Sequence, residues 1–439
     1  MTSRLWRGLG LFVLAAFVIG GATLASRADE LRIGTPATVG ISSERLARLD
    51  AAMEAEISAG RKAGIVMLIA RKGQVVHLKA YGMADIAANR KMQTDSMVRL
   101  YSMTKPITSV ALLTLYEQGK FQLTDPLDKY IPGFANLKVM TGTRADGSLV
   151  LEDVKRKPTI QDVFRHTAGF AYGFGSDGID PLYRKGGVDF TTMTSLTDMI
   201  QKLAPLPLLY QPGERWVYSV SHDVQAFLVE RFSGKPFDQY VRETIFGPLK
   251  LTDMVFGVPH THAARFTAMY VAKPGGGLQA VENADGSPVK GVATWPLDAG
   301  YGRFTSIPFG GLSLSGTAMA YARFAQMLIN GGELDGVRIL SRKTVELMTM
   351  NHLPRSIPSI EAAGDNGVGY GLGVSVVTDP AREGVLDSIS EFGWAGAATT
   401  KVWIDPKEQM IVVVLAQYQP FDPQFLALAQ TMAYQAIID

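Results

Sequence analysis

Apolar positions recur along this chain in two different rhythms. In ISSERLARLDAAMEAEISAG (residues 41–60), Leu46, Leu49, Met53 and Ile57 follow one another at three- and four-residue spacing. That spacing predicts an amphipathic helix capped by Ser42 or Ser43. Two short apolar runs come next, GIVMLIA and VVHLKAYG, joined by Arg71-Lys72-Gly73-Gln74. A polar Gly-containing link between two such runs reads as a β-hairpin. Near the other end, TTKVWIDPKEQMIVVVLAQ predicts a second hairpin turning at Asp405-Pro406-Lys407, and an apolar helix from Pro423 to Ile438 follows it. Helix and hairpin in front thus match hairpin and helix behind. The simplest architecture is α+β: one antiparallel sheet built from both ends of the chain and flanked by the N- and C-terminal helices.

The middle, from Phe121 to Trp295, is rich in Gly, Pro and helical patterns and reads as a mostly helical inserted region. The expected division is therefore a sheet domain over 29–120 and 296–439, with the helical domain over 121–295. A cleft between the two is the expected place for a site.

Composition narrows the possibilities. The chain has 439 residues, 47% of them hydrophobic, which is ample for a large core and long for one compact domain. Its net charge is only +2 and no basic stripe is visible, so no nucleic-acid partner is expected. The opening MTSRLWRGLGLFVLAAFVIGGATLASRADE carries Arg4 and Arg7 ahead of an apolar run from Leu9 to Ile19, then small residues. This pattern predicts a signal peptide over residues 1–28, cut after Ala25 or Ala28, with a periplasmic or secreted product. An uncleaved anchor is the competing reading, but the run is short for a membrane span. The absence of Cys excludes a lipoprotein, disulfides, thiol nucleophiles and Cys-zinc sites.

Chemistry enters at VRLYSMTKPITSV, which sets Ser102 and Lys105 three residues apart ahead of an apolar run. On a helix these positions share a face, so hydroxyl and amine can meet. Pro106 fits only near a helix start, and Ile107, Val110 and Leu113 form a stripe that would bury the turn. Burial matters because a lysine of ordinary pKa, ~10.4, is no base at neutral pH. Beside a desolvated lysine, a serine becomes an activated nucleophile. A plain helix start with a solvated lysine is the alternative that spacing alone leaves open. In YQPGERWVYSVSHDVQAFLVE, Tyr218 follows a Pro-Gly turn and precedes a helix, where it could pass a proton or simply pack at an element boundary. In SEFGWAGAATTKVWIDP, Gly393, Ala395, Gly396 and Ala397 would let a substrate approach an edge strand lining a cleft.

These three stretches, in this order, resemble the penicillin-recognising serine hydrolases: class C β-lactamases, D,D-peptidases and the family VIII carboxylesterases. The resemblance covers roughly residues 40 to 435. PTIQDVFRHTAGF, with Ala168 where the family carries Ser, adds to it, as do IFGPLKLTDMVF and FGGLSLSGTAMAYARFAQMLINGGELDGVRILSRKTVELM. It implies Ser102 as the acylated nucleophile, Lys105 as its activating partner and Tyr218 at the tyrosine of the Tyr-x-Asn motif. The backbone N–H groups of Ser102 and Ala397 would form the oxyanion hole. Val220 replaces the motif's Asn, and Trp394-Ala395-Gly396 stands where β-lactamases have Lys-Thr-Gly. Both departures remove polar groups that would hold a β-lactam, and the esterases share the Trp-x-Gly segment. The resemblance therefore implies a short-acyl carboxylesterase working on a small ester or amide with no metal or organic cofactor. β-Lactamase or D,D-peptidase action, acyl transfer, and a non-catalytic peptidoglycan-binding sensor are the alternatives. The oligomeric state is left open.

Other motifs are expected to be structural. GLSLSG (311–316) mimics a nucleophile elbow, but Ser315 takes the place of its second Gly, and a helix cap is the better reading. Ser221, His222 and Asp223 are adjacent and cannot face one another as a triad, so His222 is expected at the surface or in a cap. His260-Thr261-His262 is expected in a loop. His166 is expected to hydrogen-bond beneath the cleft.

Overall fold

The structure is a computed structural model that describes residues 31–439 apart from 176–177, 191, 258–259, 283–288, 290–306 and 361–365. The leader expected over 1–28 and the boundary expected near residue 295 lie outside the described residues.

Helix α1 (Ser43–Ser58) begins where Ser42 accepts a hydrogen bond from the Arg45 N–H. Strands β1 (Gly64–Arg71) and β2 (Gln74–Asp85) form the front hairpin. Lys72 (φ 52°) and Gly73 (φ 75°) turn it in the left-handed region that matches the twist of paired strands. A short strand β3 (Arg90–Lys91) follows β2. The rear of the chain adds β4 (Val368–Tyr370), β5 (Ser375–Val377), β6 (Phe392–Gly396), β7 (Thr400–Asp405) and β8 (Met410–Ala416). All eight strands make one antiparallel sheet in the order β4-β5-β6-β7-β8-β1-β2-β3. Front and rear halves meet at β1 and β8, in register from Ile65 opposite Ala416 to Arg71 opposite Met410.

Every residue of β1 is buried, because both faces of the sheet are covered. Ile65, Met67 and Ile69 face a layer made by α1 and the last helix, α5 (Pro423–Tyr434), through Leu46, Leu49, Met53, Phe425 and Ala429. Their alternates Val66 and Leu68 face a second layer that holds α2 (Thr104–Glu117) and α4 (Ala318–Ile329). Helix α5 stops at Tyr434, a turn short of the expected Ile438, and Ile437 bridges back to Ile41. Helix α2 is buried from Thr104 through Leu115, so the expected stripe of Ile107, Val110 and Leu113 is part of a helix enclosed on all sides. Residues 121–295 contribute short helices, α3 (Ser221–Ser233) among the longer ones, and a hairpin of Lys138–Thr143 with Leu149–Asp153. Among the described residues, no helix is long and apolar enough to cross a membrane.

Within PTIQDVFRHTAGF, Thr159 and Asp162 form a capping box on the short helix Ile160–Phe164. Asp162 is fully buried and accepts hydrogen bonds from Arg156 Nη1 (2.6 Å) and Nη2 (2.9 Å), Arg165 Nη2 (3.0 Å) and Thr167 Oγ1 (2.8 Å). Burial alone would raise its pKa, but Arg156, the Thr159 N–H and Arg165 outweigh it and hold the carboxyl at about 2. The group is thus depressed below its unfolded value, so its stabilisation is present above ~3.9 and is lost as pH falls through about 2. Asp162→Ala is expected to lower unfolding stability by roughly 3 kcal/mol at pH 7. Urea unfolding should show that deficit shrinking as pH approaches 2; a deficit independent of pH would contradict the assignment.

Candidate active site

Ser102 sits on a turn braced from below. The short strand Val98–Arg99 pairs with Leu314–Gly316, and the Leu100 N–H donates to Leu314 O (2.9 Å). Tyr101 then takes φ 45°, a left-handed value that costs strain in a residue with a side chain. Residues Tyr101–Met103 make one 3-10 turn before α2 starts at Thr104. Ser102 therefore stands just ahead of the α-helix rather than in its first turn, half-exposed, with Lys105 the second residue inside the helix. Thr104 Oγ1 donates to Tyr101 O (2.5 Å) and accepts from the Leu314 N–H (3.1 Å), while the Tyr321 hydroxyl donates to Met103 O (2.8 Å). The strand at Leu314 and Tyr321 of α4 thus hold a strained turn in place from outside it.

Lys105 is completely buried, its Nζ lying 3.1 Å from Ser102 Oγ and donating to Gly311 O at 2.8 Å. The Gly311 N–H in turn donates to Asp223 Oδ1 (2.9 Å). Burial pulls the Lys105 pKa down to about 7, with Asp223 opposing the shift; burial likewise pushes Asp223 up, against Lys105. A neutral amine can keep one N–H on Gly311 O and turn its lone pair toward the Ser102 hydroxyl. Glycine is required at 311, since a Cβ there would lie 2.9 Å from both Asp223 Oδ2 and the Tyr172 hydroxyl.

Tyr218 approaches from the other side. Its hydroxyl donates to Ser102 Oγ at 2.7 Å and faces the Trp394 indole N–H at 3.4 Å. Burial pushes the phenol well up from its ordinary value, although the Ser102 and Trp394 hydrogen bonds lower it, so it stays protonated at neutral pH. The Lys105 ammonium position lies 4.4 Å from the centre of the Tyr218 ring. Beneath, His166 packs 4.8 Å from Tyr218 and 4.8 Å from His222, and burial drives both imidazoles far below their usual pKa. His166 is aimed there by its own left-handed backbone (φ 57°) and accepts the Ser219 N–H at Nδ1 (3.2 Å).

Strand β6 closes the site. A Cβ on Gly396 would lie 2.2 Å from Leu100 O, so only glycine lets β6 run against the nucleophile turn. Ser102, Tyr218, Trp394, Ala395, Gly396 and Ala397 line one cleft of about 1110 Å³. β6 is not the edge strand its small residues suggest: β5 pairs with Phe392 and Gly393 and β7 with the whole strand. β5 pairing ends at Gly393, however, which leaves Trp394–Gly396 open to the cleft on that side.

The residues singled out around Ser102 line this cleft or touch the nucleophile, with two exceptions: Val220 is fully buried at the head of α3, and Gly393 is paired on both sides, with Ser375 of β5 and Trp403 of β7. Three structural expectations change. His222 is wholly buried, because α3 packs against α2 on that face; both of its ring nitrogens lack a protein partner among the described residues. Ser315 lies in a strand, and Thr317 instead caps α4 by accepting from the Ala320 N–H. His260 to Arg265 form a 3-10 turn rather than an irregular loop. The contribution of Asp223 and Gly311 was not foreseen: Asp223 was visible only in an adjacent Ser-His-Asp trio, and Gly311 only in a decoy motif.

A protein-family description, Beta-lactamase, matches residues 49–436. Esterase EstB of Burkholderia gladioli is 30% identical over 386 residues, spanning 84% of this chain and 89% of that protein. EstCE1, a hydrolase with promiscuous acyltransferase activity, superimposes with a TM-score of 0.73 at 24% identity, covering 89% of this chain and 99% of its own. Simvastatin Synthase (LovD) from Aspergillus terreus gives 0.75 at 20% identity, covering 90% and 98%. At such identities these two structures bear on the fold.

Proposed function

Because the chain belongs to the beta-lactamase family, we propose that it is a serine carboxylesterase in which Ser102 forms an acyl-enzyme. The observation that carries this reading is Ser102 Oγ standing 3.1 Å from a buried lysine amine and 2.7 Å from a phenol. Lys105 takes the hydroxyl proton as Ser102 Oγ attacks the ester carbonyl. The N–H groups of Ser102 and Ala397 hold the oxyanion. As the tetrahedral intermediate collapses, Tyr218 gives its proton to the departing alkoxide and is reprotonated from Lys105. Water, deprotonated by the same pair, then releases the acid and restores Ser102. The likeness to EstB supports an ester as substrate.

The division into a sheet domain (29–120 and 296–439) and an inserted domain (121–295) goes with this reading, since residues of both parts meet at Ser102. So does export: an N-terminal signal over 1–28 would deliver the enzyme to the periplasm or medium.

Trp394 separates ester from β-lactam chemistry. It occupies the place of the family's cation and bonds Tyr218 instead. Losing a charge-assisted contact costs about 1.5–3 kcal/mol, or tenfold and more in the use of an anionic substrate. Purified enzyme is expected to turn over p-nitrophenyl butyrate and to leave a chromogenic cephalosporin nearly untouched. Trp394→Lys should raise cephalosporin kcat/KM by about tenfold. Efficient cephalosporin hydrolysis by the parent, with no ester turnover, would overturn the esterase reading.

A further inference from the structure

Tyr218 is placed by a stretch of chain with no regular structure of its own. Residues 215–219 belong to neither helix nor strand, and α3 begins only at Ser221. No ladder of backbone bonds therefore fixes a side chain there. Proton transfer is nonetheless sensitive to placement, since a shift of ~1 Å costs on the order of 10²-fold in rate. The restraint has to come from outside the segment.

One residue from a distant stretch holds both neighbours of Tyr218. The Val217 N–H donates to His166 O (3.1 Å), and the Ser219 N–H donates to His166 Nδ1 (3.2 Å). The Tyr210 hydroxyl donates to the same carbonyl at 3.0 Å and steadies it. Between these bonds the imidazole lies against the Tyr218 ring, their centres 4.8 Å apart, with Trp216 edge-on at 5.8 Å and His222 behind at 4.8 Å. His166 is completely buried and lies beneath the cleft, outside its lining. A backbone N–H can only donate, so Nδ1 carries a lone pair and the single proton of the neutral ring sits on Nε2. An imidazolium would turn a second N–H toward that of Ser219. Burial, and then the nearby Lys105 charge, oppose that form.

We propose that His166 is a positioning residue for acyl transfer: through its carbonyl and Nδ1 it fixes the residues on either side of Tyr218, and so sets the phenol where it protonates the departing alkoxide. It acts only through Tyr218. This rests on Tyr218 being the proton donor of the proposed reaction and adds what holds it in place. Two substitutions separate the acceptor from the ring. Asparagine offers a side-chain oxygen near the place of Nδ1 and tolerates the left-handed φ of 57°. Phenylalanine keeps the ring and removes the acceptor.

The test compares two butyrate esters on the full enzyme. Ethyl butyrate releases an alkoxide that must take a proton as it leaves, whereas p-nitrophenyl butyrate releases a phenolate that is stable without one. Both form the same acyl-enzyme, and kcat/KM covers the steps up to it. Tyr218→Phe should therefore lower the ratio of ethyl to p-nitrophenyl kcat/KM by about 10²-fold. His166→Phe should lower that ratio by about tenfold or more, and His166→Asn should recover most of the loss. Added to Tyr218→Phe, His166→Phe should lower it by less than about twofold further. Equal losses on both esters, an Asn variant no better than Phe, or the full loss repeated in the double variant overturns the positioning role. An unchanged ratio in Tyr218→Phe overturns the donor role of Tyr218 and that of His166 with it. Turnover of neither ester by the parent overturns the esterase reading itself. Where a variant does not fold, hydrogen exchange on the parent decides. The Val217 and Ser219 amides, although in irregular chain, should be protected by about 10²-fold or more, and exchange at the free-chain rate overturns the clamp.

Discussion

Ser102→Ala is expected to remove hydrolysis of p-nitrophenyl butyrate, lowering kcat/KM by about 10⁴-fold or more. Among the described residues the other serines near the site are engaged elsewhere: Ser219 and Ser221 are buried and bonded to each other at 2.8 Å, Ser315 is fully buried in a strand, and Ser375, which lines the cleft, donates to Gly393 O at 3.0 Å. The loss should come without unfolding. Ser102 is half-exposed on its turn, and the contacts bracing that turn come from Leu100, Met103 and Thr104. Thermal unfolding should therefore move little while the rate collapses. Mass spectrometry of the parent quenched during turnover should show one added acyl group, mapped to the peptide holding Ser102, and the variant should show none. A variant that keeps more than a tenth of the parent rate would mean that another residue attacks.

The second large effect belongs to Lys105. Lys105→Met keeps the length and apolar stem of the side chain but removes the base, and a loss of at least 10³-fold in kcat/KM is expected. Its signature is the pH profile of the parent. Burial lowers the Lys105 pKa to about 7. Below that value the amine is an ammonium with no lone pair to accept the Ser102 proton; above it the base is free. The rate should thus rise with pH through about 7 and then level, because Tyr218 is pushed upward and keeps its proton across the plateau. An acid limb near the ordinary lysine value of ~10.4 would show that the amine is solvated, and a flat profile would show that Lys105 is not the base.

Much of the scaffold could be read from the chain because its signals are local. The α1 cap at Ser42, the Lys72-Gly73 turn and the Asp405 turn, where Asp405 Oδ1 accepts from the Lys407 and Glu408 N–H groups, are decided within a few residues. Ser102 and Lys105 are three apart, so one turn brings them together whatever the rest of the protein does. The small residues of β6 announced a close backbone approach, and Gly396 against Leu100 is that approach. They also suggested an edge strand, an error that came from not seeing β5: that three-residue strand pairs with only two residues of β6. Such short pairings leave hardly any periodic trace.

The chain by itself determined the two-ended sheet, its helical layers and the pairing of a hydroxyl with an amine on one turn. Each of these follows from side-chain spacing over a few residues, which acts before any distant contact forms. Tertiary structure alone decided whether that pair is reactive. Lys105 is made a base by burial and held by Gly311, 206 residues away, which is itself held by Asp223, 88 residues from it. Tyr218 reaches Ser102 across 116 residues. Desolvation and the placing of charges depend on everything that surrounds a group, and that surrounding exists only once the chain has folded.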